Sequence, residues 1–235
     1  MICRIVLVTV LCTPLSVAQG QGGGCLSQTK SDIGQDAAGM VKAVVRAPRV
    51  VLQPHNLKWE LPIAAATAVF ITSVDGHTVG LVTSPAVASD SRKASNAAFG
   101  AEILLGAVPY VAGCAGGREH ARRAGFAALE GMGYALGTAA VLKEAFNRQS
   151  PTSRNSEGDF WEGGKSFPSG HAMGTWGLAS ALAHEYPQNR PLKWAAYGLA
   201  VTTSLLRIPA RKHFPSDVLV GGTLGYLIGS EIGSR

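Results

Sequence analysis

The chain has 235 residues, 46% hydrophobic and 15% charged, a length that supports one domain with a sizeable core and is short for two. Its net charge of +6 suits an anionic partner such as a phosphate ester or an acidic lipid surface. Its basic residues are scattered and only 7% of residues are aromatic, which excludes a nucleic-acid stacking platform.

The chain opens with Arg4, an apolar run from Ile5 to Leu11, and the small residues Ser16-Val17-Ala18. This pattern predicts a signal peptide over residues 1–18, cleaved before Gln19, and therefore export to a periplasmic or extracellular space. The run is well short of the roughly 20 apolar residues that span a bilayer. Cys3 and Cys12 fall inside this leader, which leaves Cys25 and Cys114. An oxidising compartment permits a disulfide between them, and two free thiols fit the sequence equally well. Residues 19–55, rich at first in Gly, Ser and Gln, read as a linker followed by a docking segment.

Residues 56–235 form the expected helical domain. Apolar, Ala/Gly-rich stretches run from Leu61 to Val74, Phe99 to Cys114, Ala121 to Phe146, His171 to Glu185, Leu192 to Arg207 and Asp217 to Ile232. Strand-like alternation is confined to Thr78 to Ser84. The pattern predicts an all-α fold, a single bundle of about six core helices with the active site at helix ends. Uncharged runs reach only about 12 to 16 residues, below the length of a membrane span. Glu102 and Glu130 inside two of the stretches favour a buried core or polar interior, in a soluble or peripherally membrane-associated domain. Gly133 and Gly137, and later Gly221, Gly225 and Gly229, recur every fourth residue, a spacing that predicts close helix packing.

Three clusters carry chemistry. Lys143 stands near a helix end, with Arg148 and Pro151 following, and these cations suit a phosphate dianion. Ser166-Phe167-Pro168-Ser169-Gly170-His171 directly precedes an apolar stretch, so Ser169 can cap a helix whose free amides face an anion. Arg207, His213 and Asp217 follow, with Pro215 and Ser216 starting the last helix. A carboxylate placed as Asp217 is orients an imidazole and stabilises its cation, which makes His213 a usable nucleophile. Phe160, Trp161 and Phe167 flank the middle cluster and read chiefly as packing residues. His55, His77, His120 and His184 lack matched partners and read as surface or core-edge residues.

In this order the three clusters resemble the type 2 phosphatidic acid phosphatase and vanadium haloperoxidase superfamily, over roughly residues 95 to 235. The superfamily pattern is a lysine, six residues and Arg-Pro; then Pro-Ser-Gly-His; then Ser-Arg, five residues, His, three residues and Asp. The resemblance implies that Lys143 and Arg207 bind phosphate together with Ser169 and the Gly170 amide. His171 is then the general acid, His213 the nucleophile that becomes a phosphohistidine, and Asp217 the residue that orients it. No cofactor or metal is expected, since cations and helix amides supply the electrostatic stabilisation. The implied activity is hydrolysis of phosphate monoesters, whether lipid phosphates such as phosphatidic acid, polyprenyl diphosphates or small soluble esters.

Two positions depart from the pattern. Leu206 replaces the serine before Arg207, and Ser150 stands where the first motif has its arginine. A serine cannot reproduce a bidentate guanidinium contact. Arg148 is the expected substitute in the phosphate cradle, with Arg154 or Lys165 as further sources of charge. Two other readings are a vanadate-dependent haloperoxidase, which the short chain disfavours, and a non-catalytic member that binds anions or lipid. Anion binding alone has no need for His171, Arg207, His213 and Asp217 together.

Overall fold

The helices of this chain begin where a proline or a capping side chain sets the first turn. The computed structural model describes residues 54–79, 84–153 and 158–235. The expected signal peptide, Cys25, Arg154 and nearly all of the linker and docking segment lie outside them. The helices are α1 (Pro54–Val69), α2 (Asp75–Val79), α3 (Pro85–Gly116), α4 (Glu119–Phe146), α5 (Gly170–Glu185), α6 (Arg190–Leu205) and α7 (Pro215–Gly233). A π-helical turn, Phe70–Val74, joins α1 to α2. There is no strand among the described residues, and the fold is all-α.

Pro85 and Pro215 sit in the first turns of α3 and α7, where a missing N–H costs nothing. Ser169 and Asn189 cap α5 and α6 by accepting the amides of Ala172 and Leu192. Gly117, at φ 62°, ends α3 in the left-handed conformation that glycine adopts without strain. The apolar stretches located the long helices, but α3 starts fourteen residues before the expected Phe99. Its first turns carry Asp90, Arg92 and Lys93 facing solvent, so they show no apolar run.

α5 is the central helix, most of its residues buried, and it packs against α4, α6 and α7. Leu178, Ala179 and Leu182 of α5 join Ala128 and Met132 of α4 and Ala196 and Ala200 of α6 in the main core. The predicted close packing holds on α7. Built on Gly221, Gly225 and Gly229, a Cβ would lie 2.7, 2.2 and 2.1 Å from the carbonyl oxygens of Ser169, Met173 and Gly177. Two backbones in contact at every fourth residue leave no room for side chains. The expectation fails for Gly133 and Gly137, which face open space; on α4 the close approaches belong to Gly125 and Gly131 instead. The four-residue spacing marked a face of α4, but the face turned away from its neighbours.

α3 and α4 are long and apolar enough to cross a membrane by length and composition, which is weak evidence of membrane association. They exceed the runs counted in the sequence because Glu102, Arg122 and Glu130 interrupt the apolar run and not the helix. Glu102 is fully buried, as expected, and burial pushes its carboxyl up to about 8, so it is neutral at neutral pH. Leu104, Val108 and Val111 are exposed along α3. Cys114, at the end of α3, is disulfide-bonded.

Candidate active site

The end of α4, the start of α5, the segment after α6 and the start of α7 bring the candidate residues into one place. The 146–166 loop holds them together through backbone bonds. Gln149 donates to the Asp159 carbonyl, Gly164 to that of Asn147 and Ser166 to that of Arg148. Ser166 is thereby set between the first cluster and the last. Its carbonyl accepts from His213 Nδ1 at 2.7 Å and lies 3.4 Å from Lys143 Nζ, which also donates to the Lys165 carbonyl at 2.6 Å.

A carbonyl can only accept, so His213 carries its hydrogen on Nδ1 and presents an unprotonated Nε2. The nearest partner of His213 is therefore Ser166, and Asp217 Oδ2 stands further off at 3.7 Å. Asp217 Oδ2 accepts instead from Ser166 Oγ and from the Phe214 amide, capping α7 while standing beside the imidazole. Burial pulls the His213 imidazole below its ordinary value, against the opposing pull of Asp217, and favours the neutral ring. Burial would raise the Asp217 carboxyl, but His213, Arg148 and the Ser166 hydroxyl together hold it below the usual carboxylate range.

Arg148 is not in the phosphate cradle, contrary to expectation. It is 1% exposed, with its guanidinium between the rings of Phe160 and Phe214 at 4.7 and 4.4 Å. Nε donates to the Gly158 carbonyl, Nη1 to Asp217 Oδ1 and Ser216 Oγ, and Nη2 to Asp75 Oδ2. Two buried carboxylates, Asp75 and Asp217, claim this cation, and a buried charge pairs before it reaches outward. Lys165 ion-pairs with Glu144 at the surface. The position left by Ser150 thus has no substitute from either of these residues.

At the start of α5, the buried Ser169 caps the helix and Gly170 lies close to the Lys143 chain: a Cβ on Gly170 would stand 3.7 Å from Lys143 Cε. His171 is half-buried, its ring 4.7 Å from that of Phe99. Burial, then the charges of Arg207, His213 and Lys143, pulls the His171 imidazole down to about 4. Arg207 is buried, its Nε has no partner among the described residues, and burial followed by Arg92 holds its guanidinium below the ordinary value. Burial also brings the Lys143 ammonium down to about 8. Lys143 and Arg207 beside the N-terminus of α5 make an electrostatic setting that favours an anion.

Phe160 and Phe167 pack with Phe146, as read from the sequence, while Trp161 is exposed. His77 and His184 are exposed, and His120 lies edge-on to Tyr186; the side chain of His55 lies outside the described part. Four residues at the site had no assigned role in the sequence: Asp75, Asn96, Ser166 and Ser216. Ser166 and Ser216 stand inside the motif segments, whereas Asp75 and Asn96 belong to none.

Fold and site together define an all-α protein whose lysine, arginine and two histidines converge on a helix N-terminus fit for an anion. Residues 124–232, the part of the chain that holds all three clusters, match the PAP2 superfamily. The match supports phosphatase-like activity in general, that of a phosphoric ester hydrolase. No curated protein and no solved structure matches the chain.

Proposed function

We propose that the chain hydrolyses phosphate monoesters through a phosphohistidine. The observation that carries this reading is the tautomer of His213: with Nδ1–H held on Ser166, Nε2 offers its lone pair to phosphorus. Lys143, Arg207, Ser169 and the Gly170 amide bind the phosphoryl oxygens and stabilise the charge that develops on them. His213 Nε2 attacks in line, His171 gives its proton to the leaving oxygen, and Asp217 stabilises the imidazolium-like phosphohistidine. Water then attacks phosphorus, His171 accepts its proton, and phosphate leaves with His213 restored.

Lipid phosphates such as phosphatidic acid or a polyprenyl diphosphate suit the basic chain and the exposed apolar residues of α3, and so does a membrane-surface location after export. His213→Ala is expected to abolish hydrolysis of p-nitrophenyl phosphate and of phosphatidic acid with an unchanged helical circular-dichroism spectrum. Turnover retained by that variant would sink the reading.

A further inference from the structure

α3 reaches the site with a residue that lies outside the family match, Asn96. Arg207 Nη1 donates to Asn96 Oδ1 at 3.3 Å. A guanidinium can only donate, so the atom facing it is the amide oxygen and not the amide nitrogen. The same Oδ1 lies 3.2 Å from His171 Nε2. Two lone pairs do not meet at that distance, so His171 carries a hydrogen on Nε2. Nδ1 of His171 has no hydrogen-bond partner among the described residues. The two imidazoles are thus held by opposite nitrogens, His213 by Nδ1 on Ser166 and His171 by Nε2 on Asn96.

We infer that Asn96 is a positioning residue for the proton donor: by holding His171 at Nε2–H, it makes Nδ1 the nitrogen that protonates the leaving group. The reaction step rests on the phosphatase reading, while the tautomer rests on geometry alone. As the P–O bond breaks, its electron pair goes to the leaving oxygen, which takes the Nδ1 proton. The imidazole is left neutral with its Nε2–H still on Asn96. Among the described residues Asn96 is a neutral acceptor against His171 in a field otherwise set by Arg207, His213 and Lys143, so it favours the protonated ring that burial and these neighbours oppose.

The test uses the full chain, with Asn96→Ala and Asn96→Asp. Asn96 is exposed on its helix, so neither change disturbs the core. Nitrogen-15 NMR of the histidine rings should find wild-type His171 as the Nε2–H tautomer. The titration midpoint of His171 should fall in Asn96→Ala and rise in Asn96→Asp. Turnover of an alkyl phosphate, whose leaving alkoxide needs the proton, should drop about tenfold in Asn96→Ala, while p-nitrophenyl phosphate, whose leaving group does not, changes less than about threefold. An Nδ1–H tautomer in the wild type, an unmoved midpoint in both variants, or equal losses on the two esters would overturn the inference. The NMR measurements need no turnover, so they decide the role of Asn96 even if wild type and His213→Ala prove equally inactive and the phosphatase reading fails.

Discussion

Arg148 ties Asp75 to Asp217, and through Asp217 it reaches the surroundings of His213. Removing the guanidinium leaves two buried carboxylates facing each other without a cation. Arg148→Met is therefore expected to cost about 3–5 kcal/mol of stability, the usual penalty for breaking a buried ion pair from one side. Urea unfolding followed by circular dichroism measures it, and a loss below about 1 kcal/mol would show that the network carries little. Activity should fall as well, because the same change loosens the carboxylate beside the candidate nucleophile. The motif segments already named most residues of the site, since their order and spacing are local properties of the chain. What Arg148 does was not legible there. A cation two positions from a vacant arginine reads as its substitute, until the fold sets two acidic side chains closer to it than any phosphate.

Between elements, the contact of α5 with α7 depends on glycine for distance and not for flexibility. A methyl group on Gly225 would stand 2.2 Å from the Met173 carbonyl oxygen, and neither backbone can withdraw without parting the helices. Gly225→Ala should lower the melting temperature sharply and disturb the site, because Ser169 of the same interface donates its amide to the Asp217 carbonyl. Gly133→Ala, with open space around it, should raise stability by about 0.5–1 kcal/mol, as an exposed helical glycine replaced by alanine does. Thermal melts of the pair decide the matter, and equal effects would contradict the packing described for α5. Both glycines belong to four-residue repeats in the sequence. Periodicity marks a face of a helix, and only the neighbouring helix determines whether that face is covered.

Across the whole molecule, burial, then the neighbouring Arg207, His213 and Lys143, act together on His171 and bring its imidazole down to about 4. A general acid works only while it holds its proton, so a lowered pKa confines it to acidic solution until a bound phosphate offsets the field. In the proposed mechanism the nucleophile must be unprotonated, and the lowered His213 value keeps that residue so into the acidic range. Lys143, at about 8, loses its charge as the solution becomes alkaline and with it part of the attraction for phosphate. All three signs agree. The kcat/KM for an alkyl phosphate, whose leaving alkoxide needs the proton, should peak on the acidic side of neutrality and decline steadily between pH 7 and 9. An optimum at pH 8 or above would contradict this ordering of the groups.

The sequence by itself determined the all-α class, the helical stretches and the three clusters of candidate residues, because apolar periodicity and short motifs act over a few residues of chain. The tertiary structure decided which cation the buried carboxylates claim, why His213 leans on a carbonyl before a carboxylate, and which glycines touch a neighbour. It alone brought Asp75 and Asn96 to a site more than seventy residues away along the chain. Those pairings follow from helix packing and from the cost of leaving a buried charge unpaired, and neither is written in any local pattern.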